Sequence, residues 1–359
     1  MKIALITRST LYSVPGGDSI QIIKTAEHLN KNGISVDIRL TSENIKYERY
    51  DLLHFFNIIR PADILNHIEK SKKPFVVTPN FVDYSEYDKN YRKGLSGTIF
   101  RMMSPEKIEY SKTMFRWLMK KDKLISPSFI LKGQRKCITE ILKKAKLLLP
   151  NSALEYSALK KTYGAAPKFI IVPNGIDKGL FESADSSEKN PSMVICAGRI
   201  EGIKNQLTLI KALNNSVYSL FIIGTPSPNQ YSYYKECKKT AGSNIHFIDH
   251  LPQKQLAEYY RKSKVHVQPS WFETTGLSSL EAAAMGCNIV ITDRGYTRNY
   301  FSNDVLYCDP GSIESIYNAI EKASKQPQNK MLHSKILFEY TWEQAASKTI
   351  EAYKKALTD

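Results

Sequence analysis

The sequence predicts an α/β protein of two Rossmann-like domains, with mostly parallel sheets facing each other across a cleft. Three observations predict it. Short β-branched apolar runs alternate with helical runs, which is the signature of βαβ units. The alternation occurs as two series separated by a polar stretch, 181–192, rich in Ser, Asp and Glu and carrying Pro191. A chain of 359 residues is long enough to give each series its own core.

The first series reads as strands at Lys2–Thr7, Ile34–Leu40, Asp51–Phe56 and Pro74–Thr78, with helices starting near Asp18 and Pro61. Residues 84–143 break the pattern and read as a largely helical, basic insert (84–146) lying over the cleft. Strand signals return at Lys146–Pro150 and Lys168–Val172, flanking a helix at Ala153–Tyr163. The second series places strands at Met193–Ala197, Tyr218–Ile223, Ile245–Ile248, Val265–Gln268, Asn288–Thr292 and Val305–Cys308. A last helix runs from Thr341 to Leu357. The domains are therefore expected at 1–180 and 181–340, followed by a terminal helix at 341–359.

The formal charge is +16, and residues 86–146 carry 16 Lys or Arg against 6 Asp or Glu, so the excess is concentrated in the insert. Its basic residues are interleaved with Met, Phe and Trp, as in the run 99–103 and the run 114–121. Such a stretch suits an anionic membrane surface, and equally a solvated helix whose apolar side packs inward. Nucleic acid is not expected, because no recognition motif accompanies the charge. Five scattered cysteines, with no C-x-x-C, indicate neither a disulfide framework nor a zinc site. No apolar run is long enough to span a bilayer, and the amino terminus reads as a strand rather than a signal peptide. A cytoplasmic protein is expected, peripheral at the inner face of the membrane if the insert touches lipid.

The most informative stretch is the strand VHVQPS followed by Glu273-Thr274-Thr275-Gly276 and the helical run LSSLEAAAM. Glu273 falls in the loop at the carboxyl end of the strand. Thr274 or Thr275 is expected to cap the helix, which sets Glu281 about two turns in and the two carboxylates roughly 10 Å apart. Free N–H groups at a helix start favour phosphate, and flanking carboxylates favour sugar hydroxyls. Upstream, Arg199 and Lys204 surround a strand end and a helix start (Asn205–Leu213), a placement suited to a diphosphate leaving group. By spacing alone these two also read as ordinary surface cations, and Glu281 as a helix surface residue. Gly16 and Gly17 precede a helix but form no complete G-x-G-x-x-G, so they read equally as an ordinary turn, with Asp18 or Ser19 as a helix cap.

The spacing from Glu273 to Glu281 resembles the E-x7-E motif of retaining glycosyltransferases of GT-B fold, in family four. VPNGID (172–177), CAGRIEGIKNQ (196–206) and YTWEQAA (340–346) match in the expected order. The resemblance implies a last helix that returns to the first domain. It implies that Glu281 accepts from the donor ribose, that Glu273 contacts the donor hexose, and that the N–H groups of Thr275, Gly276 and Leu277 face the phosphates or sugar. It further implies that Arg199 and Lys204 hold the diphosphate without a metal, that Gly16 and Gly17 approach it from the first domain, and that the base lies near the backbone of Leu251. No cofactor is expected beyond the nucleotide-sugar donor. The sequence departs from its relatives at Thr275, where many carry an aromatic residue, and at Asn80, with Asp83 nearby, where many carry histidine. The implied activity is hexose transfer from a UDP- or GDP-sugar to a glycan or lipid-linked acceptor. A silent sugar-binding protein and a sugar-nucleotide epimerase are the alternatives, and the second lacks a histidine–carboxylate set in the sequence.

Overall fold

The computed structural model describes residues 1–90, 103–119, 126–164, 167–182 and 188–358. The chain divides into two compact units, Met1–Asn174 with Trp342–Asp359, and Gly175–Thr341.

The first unit holds strands β1 (Lys2–Thr7), β2 (Ser35–Leu40), β3 (Leu52–Phe56), β4 (Phe75–Thr78) and the two-residue β5 (Leu147–Leu148). All pair in parallel in the order β2-β1-β3-β4-β5. Apart from Lys2 at the start of β1, His54 in β3 and the closing Thr7 and Thr78, strands β1, β3 and β4 are apolar, because both faces of the sheet are covered. His54 is fully buried, with Nδ1 2.7 Å from the Tyr353 hydroxyl and Nε2 2.8 Å from Thr78 Oγ1, and burial lowers its pKa to about 3. Tyr353 belongs to the last helix, Trp342–Thr358, which packs on the helix Gly17–Lys31 of this same unit. The turn after β4 is held by the buried carboxylate of Glu155, which accepts from Phe81 N at 2.7 Å and Asn151 N at 2.6 Å.

The described parts of the insert are helical, at Ser85–Asn90, Pro105–Leu118 and Pro127–Lys144, the last bent at Gly133. Residues 91–102 and 120–125, where parts of the basic-aromatic runs fall, lie outside the described residues. The expected strand at Lys168–Val172 does not form. Its backbone makes a single bridge, Phe169 to Leu148, because β5 ends after two residues and offers no longer edge.

The second unit holds β6 (Asn190–Ala197), β7 (Ser219–Ile223), β8 (Ile245–Ile248), β9 (Ser263–Gln268), β10 (Asn288–Thr292) and β11 (Leu306–Cys308), in parallel in the order β11-β10-β9-β6-β7-β8. Along β6 the side chains alternate between two cores. Val194 and Cys196 face one, and Met193, Ile195 and Ala197 face the other. The polar stretch read as a linker is shorter than the sequence suggested. Phe181 is fully buried at the end of the helix Lys178–Phe181, and Asn190-Pro191-Ser192 open β6. All five cysteines are free and buried, as small hydrophobes.

Candidate nucleotide-sugar site

The strand order of the second unit places a topological switch point between β6 and β9. Chain connections leave these adjacent strands in opposite directions, so the loops at their carboxyl ends part and open a crevice where ligands of such sheets bind. The loop after β6 carries Arg199 and Lys204. The loop after β9 carries Glu273 and leads into the helix with Glu281. The structure brings these loops together by specific bonds. Trp271 N donates to Ile203 O at 2.8 Å. Asn205, left-handed at φ 61°, donates through Nδ2 to Pro269 O at 3.1 Å and Pro310 O at 2.8 Å.

The product of this stitching is the ion pair of Lys204 Nζ with Glu273 Oε1, 2.5 Å apart. The carboxylate is 7 % exposed. Two more donors converge on the same oxygen, Ser270 Oγ at 2.7 Å and Gln268 Nε2 at 3.2 Å. Three donors thus converge on Oε1 and hold that oxygen in place.

The backbone of Glu273 is fixed as well. Its N–H donates to Arg294 O at 3.1 Å, and its carbonyl accepts from Tyr296 N at 2.8 Å. Gly295 makes that approach possible. At φ +96° it is in a region that favours glycine, and a Cβ there would meet Glu273 O at 2.1 Å. Gly295→Ala is accordingly expected to lower stability by roughly 1–3 kcal/mol and to shift the Glu273 loop. The urea midpoint reads the first effect, and a weakened nucleotide-dependent thermal shift reads the second.

The helix after Glu273 runs Leu277–Ala284, and its cap is Gly276 rather than Thr274 or Thr275. Gly276 sits at φ 75°, where threonine would be strained, and no side chain caps the helix start. Its amino end therefore keeps N–H groups for an anion. Thr275 is buried, with its hydroxyl 3.3 Å from that of Tyr300. Leu277 and Leu251 are partly buried against the same apolar cluster.

With the cap at Gly276, Glu281 stands about one turn into the helix, not two. Nor is it a surface residue, being 8 % exposed. Burial pushes its carboxyl up to about 8, offset in part by the neighbouring Tyr260 hydroxyl. Beside Tyr260, His266 on β9 is fully buried, and burial lowers its pKa to about 3. Among the described residues its Nε2 finds no hydrogen-bond partner.

Arg199 is more open. Its Nη2 lies 2.9 Å from Glu201 Oε1 and its side chain is 41 % exposed, so it can swing toward a ligand. Gln206 Nε2 donates to its carbonyl at 2.8 Å and fixes the loop from beneath.

Gly16 and Gly17 belong to the other unit, where Gly16 precedes the helix Gly17–Lys31. Asp18 is not a cap but an acceptor for Arg8, whose guanidinium also donates to Thr10, Val14 O and Ser19 Oγ, fastening the loop that leads to the glycines. At the position where relatives carry histidine, Asn80 accepts from Asn151 Nδ2 at 2.8 Å and keeps a buried Nδ2 with no partner among the described residues. Asp83 caps the short helix after it by accepting from Ser85 N at 2.9 Å. No group of metal-ligating side chains occurs among the described residues.

Two parallel α/β units with these strand orders define a GT-B fold, and known structures agree. Sucrose-phosphate synthase from Thermosynechococcus elongatus superposes with a TM-score of 0.76 at 16 % identity, covering 100 % of this chain and 99 % of that one. Anabaena HepE in complex with UDP and glucose gives 0.72 at 14 % identity, covering 99 % of each. Residues 180–336, nearly all of the second unit, match the family model Glycosyl transferases group 1. A D-inositol 3-phosphate glycosyltransferase of Kribbella flavida is 25 % identical over 246 residues, 60 % of this chain and 58 % of that protein. A second, from Catenulispora acidiphila, is 22 % identical over 252 residues, 61 % and 58 % respectively. The chain thus aligns with under two thirds of the length of these curated relatives.

Proposed function

We propose that the protein is a retaining glycosyltransferase of family four that moves a hexose from a UDP- or GDP-sugar to a hydroxyl of a glycan or lipid-linked acceptor. Bacterial surface-polysaccharide synthesis, at the inner face of the membrane, fits its basic insert. The observation that carries the reading is the Lys204–Glu273 pair beside an uncapped helix start at the β6/β9 switch point. Lys204, Arg199 and the N–H groups after Gly276 hold the diphosphate. Glu273 takes a hexose hydroxyl, and Glu281 takes the ribose. HepE, of the same fold, binds UDP and glucose, which supports a nucleotide-sugar donor here.

In the reaction the glycosidic C–O bond breaks and its electron pair passes to a diphosphate oxygen. The acceptor oxygen forms the new bond on the same face of the sugar, and its proton goes to that diphosphate oxygen. The chain's contribution is electrostatic, since charge grows on the leaving group between two cations and a helix end. Those cations supply the charge a metal would otherwise bring, so we propose a metal-independent enzyme. Thermal unfolding with UDP, GDP and their sugar conjugates tests the reading. At ~100 times its Kd the correct nucleotide stabilises by about 2.7 kcal/mol. No shift with any of them would remove the donor site.

A further inference from the structure

Eighteen large apolar side chains are exposed among the described residues, and six of them fall between positions 115 and 131. Phe115 (62 %), Trp117, Leu118 (68 %) and Met119 close the helix Pro105–Leu118, and Ile130 and Leu131 (88 %) open the helix Pro127–Lys144. The two helices pack together, with the Tyr110 ring 5.2 Å from Phe129 and its hydroxyl 3.3 Å from Ile130 O. The inward residues Ile108, Phe129, Cys137 and Ile138 are buried, so the pair already has a core. The exposed six are surplus to it. A solvated helical face whose aromatic residues pack inward therefore does not describe this segment. Phe115, Leu118 and Met119 follow the i, i+3, i+4 spacing of one helical face.

We infer that this end of the helix pair inserts into the headgroup region of an anionic bilayer. Charge selects lipid over a second protein as the occupant. Exposed Lys132 adjoins Leu131 and pairs with Glu140, Arg135 pairs with Glu106, and exposed Lys107, Lys136 and Lys143 stand further along the same two helices, within a segment carrying 16 basic against 6 acidic residues. Apolar tips with tryptophan among them, on helices that carry a basic excess, fit an interface whose outer layer is negative and whose inner layer is hydrocarbon. No helix among the described residues is long and apolar enough to cross a membrane, so the contact is in the plane of the surface. It names the surface that would bring a lipid-linked acceptor to the proposed enzyme.

Flotation with phosphatidylglycerol-containing and pure phosphatidylcholine vesicles, without nucleotide, tests this independently of the donor site. Binding is expected to the first, to weaken in high salt, and to fall about tenfold or more in Phe115→Ser/Leu118→Ser and in Leu131→Ser. All three positions are exposed, and an unchanged melting temperature in each variant verifies folding. Equal binding to both vesicle types, or binding that the serine variants leave intact, overturns the inference. So does a wild-type dimer in solution that these variants dissociate while no vesicle binds, which would assign the patch to a second copy of the chain. Nucleotide-dependent stabilisation that persists while vesicles are ignored would leave the proposed function standing and remove only the membrane face.

Discussion

Lys204→Ala is expected to lower kcat/KM by a hundredfold or more, corresponding to ~3 kcal/mol of lost transition-state stabilisation. It is expected to lower folding stability as well, for a separate reason. The substitution removes the charged donor from Glu273 Oε1 and leaves a carboxylate 7 % exposed with only Ser270 and Gln268 to satisfy it. Partial exposure of the lysine and the two remaining donors moderate that penalty to about 1–3 kcal/mol. The two effects separate in the double variant Lys204→Ala/Glu273→Gln. A neutral amide no longer needs the ammonium, so the urea midpoint should recover most of its loss, whereas the nucleotide-dependent thermal shift should remain weak. Recovery of both would make Lys204 a structural partner of Glu273 and nothing more. Full retention of kcat/KM in Lys204→Ala would remove the lysine from the clamp altogether.

The strands of both units are legible in the sequence because each is a short apolar run closed by a turn residue, and the ends fall within a residue or two in most cases. Leu147–Leu148 is the contrast. The five-residue strand expected at Lys146–Pro150 yields two paired residues, since pairing length depends on the neighbouring strand as much as on composition. At the site, Glu273, Glu281, Arg199 and Lys204 stood out through spacing and resemblance. The residues that fix them did not. Asn205, Gln268, Ser270 and Gly295 are polar or small residues whose significance lies in contacts with loops up to 105 positions away. The cap at Gly276 carried no local signal, because threonine leads glycine at a helix N-cap and only the backbone at φ 75° reverses that order. The burial of Glu281 had none either, because the same helix drawn in isolation shows it as a surface residue.

That burial gives Glu281→Gln an expected effect of unusual sign: it should stabilise the ligand-free protein. The carboxyl titrates at about 8 in the folded chain against a reference value of 4.5. Between those values the folded state holds a proton that the unfolded state has lost, so stability is full below about 4.5 and declines as pH rises toward 8. The whole decline amounts to something on the order of 5 kcal/mol. Glutamine, a neutral isostere, removes it. Glu155, raised to about 7, slopes the same way, while His54 and His266, lowered to about 3, and His67, lowered to about 4, favour the folded state as pH rises through 6.5. The difference between wild type and variant is therefore the informative quantity: near zero at pH 4.5, and growing in favour of the variant up to pH 8. Donor binding supplies the opposing test. A ribose diol donates to an ionised carboxylate, so binding should expel the proton, and affinity should strengthen up to tenfold per pH unit below 8 and level off above it. Calorimetry in two buffers of different ionisation enthalpy reads that proton directly. In Glu281→Gln the pH dependence should vanish along with much of the affinity. A stability difference that does not grow with pH would show the carboxyl to be ionised in the ligand-free protein, and the burial account of Glu281 would fail.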